Sequence, residues 1–179
     1  MEIVEKNKIK KGAQLSSGSD RVVYSYPNNR VVKLTDLQVG PSEYYIDQTA
    51  AEIFLTLVME KKYYKYIAPA EAAVVEKGKI VGGIYPRKNE LTTFDYDATV
   101  KKLKPLVNKY GLSDFQFFNF GLEENGEVVM VDYGSNVFSI REYRGYGGDM
   151  KKTDPVLEEW IERIPKRFKK YLDKAVGVW

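Results

Sequence analysis

The 179-residue sequence contains no cysteine and no histidine. The first absence removes disulfides, thiolate nucleophiles and Cys-ligated zinc. The second removes every Ser-His-Asp or Cys-His relay. Acid–base chemistry, if there is any, has to come from Asp, Glu, Lys or Tyr. A metal has to be held by oxygen, which favours Mg²⁺, Mn²⁺ or Ca²⁺. A charge excess of one sign is also missing. Lys plus Arg is 28 and Asp plus Glu 25, a net charge of +3, with no long block of like charge. Nucleic acid is therefore not an expected partner. The apolar runs are too short to cross a bilayer, so no membrane partner is expected. The opening stretch, MEIVEKNKIKK, has no apolar h-region and reads as no Sec-type signal peptide.

What is present fits an ordinary soluble globular chain, with 44% hydrophobic and 30% charged residues. The length suits one domain or two small lobes sharing a core. Its first third reads as β. Ile9–Leu15 is a plausible strand, followed by the small-residue loop Ser16-Ser17-Gly18-Ser19-Asp20. Arg21–Tyr26 and Arg30–Thr35 are β-branched and aromatic runs around Pro27-Asn28-Asn29, which predicts a hairpin. After a loop at Gly40-Pro41-Ser42, the spacing of Ala51, Phe54, Leu55 and Val58 predicts a helix over Asp47–Tyr64. Ala70–Glu76 and Lys79–Tyr85 read as strands around Lys77-Gly78, and the polar break Pro86-Arg87-Lys88-Asn89 follows. The lobe boundary is expected there, giving residues 1–88 and 89–179.

The second half opens with a helix over Asp97–Tyr110, in which Pro105 should produce a kink or a restart. Leu112–Leu122 is aromatic without a period, and Glu123–Val131 reads as a short hairpin around Asn125-Gly126. Ser135–Thr153 is irregular. A closing helix is expected from Asp154, its cap, and Pro155, its first residue. Its apolar stripe is Leu157, Trp160, Ile161, Ile164, Phe168, Tyr171, Leu172 and Ala175. The neighbouring Lys166, Arg167, Lys169 and Lys170 read as a solvated face.

Certain chemistry-bearing residues follow one another in a meaningful order. The loop Ser16–Arg21 joins two strands, Lys33 lies in the next strand and Glu52 in the following helix. Then come Asp114, Asn119 five residues on, and Asp132-Tyr133-Gly134. A loop of small side chains between strands can offer backbone N–H groups to phosphates. A strand lysine can grip the same phosphates if a carboxylate holds it in place. An Asp can orient a hydroxyl and take its proton. An Asn and an Asp supply hard oxygens to Mg²⁺. Singly, each residue has a plainer reading. Lys33 suits a strand edge, and Glu52 suits a solvated helix face, with Glu43 and Glu60 as rivals. Gly18 suits a turn, Asn119 a cap, and Asp132-Tyr133-Gly134 hairpin punctuation.

This order resembles the protein-kinase-like fold over roughly residues 9–135. The catalytic loop of that family reads Asp, four residues, Asn, and its magnesium motif is Asp-Phe-Gly. The stretch Ser17-Gly18-Ser19-Asp20-Arg21-Val22-Val23-Tyr24, with the short hairpin to Val31-Val32-Lys33, is most similar to compact kinase-like proteins of phages and bacteria, secreted effectors among them. The resemblance implies an α+β, truncated two-lobed fold: an antiparallel sheet with one helix, then a reduced helical lobe. It implies an ATP- and Mg²⁺- (or Mn²⁺-) dependent phosphotransferase with a protein hydroxyl as acceptor, located in the cytoplasm (the host's, for a phage protein or effector). Asp114 would orient the acceptor, Lys33 held by Glu52 would grip phosphates, and Asn119 and Asp132 would hold the metal. Gly18 would lie over the phosphates, Val23 and Val31 would cover the adenine, and the backbone of Tyr85, Arg87 and Lys88 would meet its edge.

The sequence departs from that pattern in four places. At the positions of G-x-G-x-x-G-x-V it carries Ser16, Gly18, Arg21 and Val23. Leu112-Ser113 stand where His-Arg is usual before the catalytic Asp, so an activation-loop phosphate would find no cationic partner there. Gln116 stands where Ser/Thr kinases usually have Lys, and no Ala-Pro-Glu motif follows Gly134. Two other readings of the pocket stay open: a pseudokinase-like nucleotide- or partner-binding module without turnover, and transfer of AMP.

Overall fold

The computed structural model describes residues 1–18, 21–35, 48–110, 112, 115–133, 159–160 and 162–172. Asp114, Ser113, Gly134, Glu43, the loop at 40–42 and the irregular segment 135–153 lie outside them. The described residues form an α+β architecture with a six-stranded sheet and a separate two-stranded hairpin.

The sheet's strands are β1 (Glu2–Glu5), β2 (Gln14–Ser17), β3 (Arg21–Tyr26), β4 (Arg30–Thr35), β5 (Ala72–Glu76) and β6 (Lys79–Pro86). Their spatial order is β1-β5-β6-β4-β3-β2. The β3–β4 hairpin has the expected bounds, and Asn28 and Asn29 take positive φ at its turn, a conformation Asn tolerates well. Lys77 and Gly78 do the same between β5 and β6.

Two sheet expectations are corrected. The first strand is not Ile9–Leu15: residues 9–13 are outside any strand, and β2 begins at Gln14 and takes in Ser16 and Ser17. The sheet is also not wholly antiparallel, because β1 pairs in parallel with β5, Ile3 opposite Ala73. Glu2 and Glu5 flank only two apolar residues in β1, and one edge of it faces away from the sheet. Such a strand leaves little periodicity in the sequence.

Helix α1 (Gln48–Val58) lies against β4 and β6. It is shorter than the expected span and passes, after Met59-Glu60, into a 3₁₀ segment at Lys61–Tyr66. The predicted stripe Ala51, Phe54, Leu55 and Val58 is buried, but so are Thr49, Glu52, Ile53 and Thr56. A helix buried nearly all round has no solvated face for Glu52 to occupy. Helix α2 (Tyr96–Tyr110) continues through Pro105 without a restart and buries Leu103, Leu106 and Tyr110. The second sheet is the hairpin β7 (Phe120–Leu122) and β8 (Val128–Met130), turning at Gly126 with φ +81°.

The closing segment is not one uninterrupted helix among its described residues. Helix α3 is Lys166–Leu172, and the helical residues before it stop short of Pro165, whose carbonyl then accepts from Phe168 N–H. Pro165 has no N–H to continue the ladder. Trp160 packs between Phe54 of α1 and Tyr110 of α2, while α3 contacts β6 and Arg167 donates to the Met1 carbonyl. The segment thus folds back onto the first half of the chain. One apolar cluster runs through Ile53, Leu55, Tyr85, Leu106, Met130, Trp160 and Phe168, and a smaller one on the sheet's other face joins Val32, Leu34, Val74 and Ile84.

The segment after β6 is pinned to the hairpin. Asn89 and Leu122 exchange backbone hydrogen bonds, and Lys88 Nζ donates to both carboxylate oxygens of Glu123 at 2.6 Å. This tie fixes the hairpin, and the residues that follow it, relative to the sheet.

Candidate nucleotide-binding cleft

Strand alternation brings the candidates to one face. Residues directly opposite each other in an antiparallel pair point the same way, as do residues two apart. Val23 lies opposite Lys33, Val31 opposite Tyr85, and Lys33 opposite Gly83. Arg21, Val23, Val31, Lys33, Gly83 and Tyr85 therefore share the face that α1 covers.

Lys33 reaches α1 from this face. Its Nζ donates to both carboxylate oxygens of Glu52 at 3.1 Å and to the Val131 carbonyl. Glu52 is 0% exposed and Lys33 6%. The rival Glu60 is instead tied to Lys62 and Lys109 at the surface, which hold its carboxyl down at about 2. Tertiary packing selects Glu52 because it is the α1 carboxylate one side-chain length above β4.

Asp132 and Tyr133 follow β8 into the same place. Tyr133 N–H donates to Glu52 Oε1 at 3.2 Å, and its ring is fully buried. Its hydroxyl donates to the Ala68 carbonyl at 3.1 Å and meets Thr56 Oγ1 at 2.9 Å. The side chain is thus a strut between the hairpin's end and α1. Asn119 is buried, and its backbone carbonyl accepts from Val131 N–H at 2.8 Å and Asp132 N–H at 3.3 Å. These bonds set Asn119 and Asp132 side by side.

Arg21 is the participant that sequence reasoning missed. It begins β3, directly after a turn closed by Gly18 N–H donating to the Arg21 carbonyl at 2.9 Å. Its side chain, 6% exposed, lies in the cleft. Nη1 is 3.1 Å from Glu52 Oε1, and Nη2 forms an ion pair with Asp132 Oδ1. The sequence did carry a signal: an arginine at the place where the family pattern has its last glycine.

Four charged side chains therefore meet with no net charge: Arg21 and Lys33 against Glu52 and Asp132. Burial works to lower the pKa of Arg21, but Glu52 and Asp132 outweigh it and push the value up. Burial dominates at Lys33 and pulls its pKa down, with Arg21 adding to the fall and Glu52 opposing it. Burial raises Asp132, yet Lys33 and Arg21 prevail and hold it below the ordinary aspartate value. Tyr85 lies under this quartet. Lys33 Nζ stands 4.5 Å above its ring centroid, and burial plus the Glu52 charge drive its phenol well above the usual range. Gly83 makes room for that ring, because a Cβ there would come within 2.7 Å of it.

The structure thus gathers Lys33, Glu52 and Asp132, with Asn119 bonded to Asp132 through the backbone. Gly18 lies at the β2–β3 turn, and Val23 and Val31 are on the cleft face. Asp114 is outside the described residues. The Arg87 N–H, expected at an adenine edge, donates to the Asn29 carbonyl at 3.0 Å. Arg87 also lines an open polar groove of about 820 Å³, shared with Arg30, Lys88, Glu123 and Glu127, whose lining does not include the quartet.

Among the described residues no cluster of three acidic side chains could hold a metal unaided. Asn119 and Asp132 do suit an oxygen-preferring cation whose remaining ligands are water and phosphate. Asp132 Oδ1, however, is engaged by Arg21.

No family model and no curated protein matches this sequence. Among solved structures the chain is similar to a pseudokinase in its apo form, at 10% identity and a TM-score of 0.48, over 99% of this chain and 92% of that one. That is a similarity of chain path; the functional reading rests on the side chains of the cleft.

Proposed function

We propose that the chain is a compact protein-kinase-like phosphotransferase that binds ATP with Mg²⁺ or Mn²⁺ and transfers the γ-phosphoryl group to a protein hydroxyl. The observation that carries the reading is the Lys33–Glu52 clasp, buried beside Asp132 and Asn119. A lysine held by a buried carboxylate is a fixed point charge for the α- and β-phosphates. Asn119 and Asp132 are the residues that would hold the metal, which would offset the negative charge of the phosphates. Val23 and Val31 present apolar surface for the adenine. Asp114 orients the acceptor hydroxyl and takes its proton. The reading uses neither His nor Cys.

The Arg21–Asp132 ion pair favours a second reading, a nucleotide- or partner-binding module without turnover, because it occupies the metal-side carboxylate. ATP labelled separately at its α- and γ-phosphates, incubated with the protein, divalent metal and a lysate, separates the possibilities. Transfer of γ label supports the phosphotransferase, and transfer of α label supports AMP transfer. Thermal stabilisation by ATP with neither label transferred supports the binding module. No transfer and an unchanged melting temperature would remove the nucleotide reading altogether.

A further inference from the structure

The donors of Lys33 are taken up by the cleft's own groups. A lysine ammonium has three N–H donors. Those of Lys33 are directed to Glu52 Oε1, Glu52 Oε2 and the Val131 carbonyl. Asp132 Oδ1 is on Arg21. In this arrangement a phosphate finds no unused Lys33 donor, and a divalent cation approaching Asp132 meets a guanidinium already there. Two like charges at one carboxylate oxygen repel, so a cation at Asp132 Oδ1 and Arg21 compete for it.

Resting on the phosphotransferase reading, we propose that Arg21 is a built-in competitor of the divalent metal: a latch at the first residue of β3 whose side chain must leave Asp132 before metal–nucleotide can seat. The placement is specific. Arg21 opens β3, and its carbonyl accepts from the Gly18 N–H at 2.9 Å, so its backbone is anchored while its side chain is the part that can leave. Its side chain bridges Glu52 of α1 to Asp132, two residues beyond β8, so its departure frees Asp132 while Lys33 still balances Glu52. A guanidinium stays charged at any physiological pH, so displacement by ligand rather than deprotonation releases it. The latch raises the metal concentration that binding requires, because apparent affinity falls with the fraction of molecules in which Arg21 has left Asp132.

The test is a titration of Mn²⁺, at fixed ATP, into the full chain and its Arg21→Gln, Arg21→Ala and Arg21→Lys variants, read as the shift in melting temperature. Folding of each variant is checked by far-UV circular dichroism. The latch requires Arg21→Gln and Arg21→Ala to reach half-maximal shift at a Mn²⁺ concentration tenfold or more below wild type. Arg21→Lys, which keeps the charge, should remain near wild type. A response in Arg21→Gln alone, with none in wild type, supports the latch more strongly. Equal Mn²⁺ dependence in folded wild type and Arg21→Gln overturns it. So does loss in Arg21→Gln of a stabilisation that wild type shows, which would make Arg21 a phosphate ligand. If Arg21→Gln does not fold, Arg21→Ala carries the same comparison: a Mn²⁺ midpoint tenfold or more below wild type supports the latch, and a midpoint equal to wild type overturns it. No response to ATP in any protein, at any Mn²⁺ concentration, rejects the phosphotransferase reading itself and the latch with it.

Discussion

Arg21 and Lys33 converge on one oxygen of Glu52, each at 3.1 Å. Two cations this close are tolerated only because Glu52 and Asp132 compensate them. The arrangement is costly to break from the acidic side, since a buried charge that loses its partner is not resolvated.

Replacing Glu52 by Ala is therefore expected to destabilise the fold by about 3–5 kcal/mol, the range for breaking a buried ion pair from one side. Glu52→Gln, which keeps shape and some hydrogen bonding, should cost less. Urea unfolding at neutral pH measures both. A loss below about 1 kcal/mol for Glu52→Ala would mean that the quartet is hydrated in solution.

Acid should weaken the fold through Asp132. A carboxyl whose folded pKa lies below its unfolded value contributes stability above the unfolded value, and this is lost as pH falls through the folded one. Asp132 is such a group, with an ordinary value of 3.8. Its contribution is present at pH 5, begins to fall as pH drops past the ordinary value of 3.8, and is lost as pH passes through the lower folded value. The urea midpoint followed from pH 5 to pH 2 should fall more steeply in wild type than in Asp132→Asn. Parallel curves would show that Asp132 is not held by Arg21 and Lys33.

Gly83 is expected to be intolerant of a methyl group for a reason found in a neighbouring side chain. A Cβ at Gly83 would sit 2.7 Å from the Tyr85 ring, which Lys33 covers from above. Overpacking of this kind costs about 1–3 kcal/mol. The cost of Gly83→Ala should shrink to within about 0.5 kcal/mol in a Tyr85→Leu background, a coupling that a double-mutant cycle reads directly. Full additivity would place the strain elsewhere.

The division of roles predicts different losses at the two aspartates. Asp114→Ala should abolish phosphoryl transfer and leave the thermal shift with Mg-ATP nearly intact, because the base faces the acceptor. Asp132→Ala should diminish both, since it removes a metal ligand. A ligand at 100 times its dissociation constant stabilises by about 2.7 kcal/mol, enough for the shift to be resolved. Equal loss of nucleotide affinity in the two variants would refute the division.

Much of the architecture was legible because it rests on local rules. Asn28-Asn29 and Lys77-Gly78 encode turns through backbone conformations that few residues adopt easily, and the runs beside them are rich in β-branched residues. The lysine, the glutamate and the Asp132-Tyr133 pair were legible as an ordered set. β1 was not, since an edge strand with two apolar residues leaves almost no pattern. The break at Pro165 was masked by an apolar stripe that keeps its period across it.

The sequence by itself determined the β3–β4 and β5–β6 hairpins, the presence of α1 and α2, and which chemistries are closed to a chain without His or Cys. It also narrowed the partner of Lys33 to a carboxylate, with Glu43, Glu52 and Glu60 as candidates. Tertiary structure decided between Glu52 and Glu60 by burying Glu52 against β4 and leaving Glu60 at the surface with Lys62 and Lys109. It alone decided that Arg21 belongs to the cleft. Arg21 and Asp132 are 111 positions apart, and nothing local in either stretch specifies the other. Their meeting depends on the sheet register that turns Arg21 toward α1 and on the Asn119 carbonyl that fixes Asp132 opposite. Burial then turns a single arginine, unremarkable on a surface, into a charge that cannot be ignored, because in a site of low polarity each ion must be matched by another.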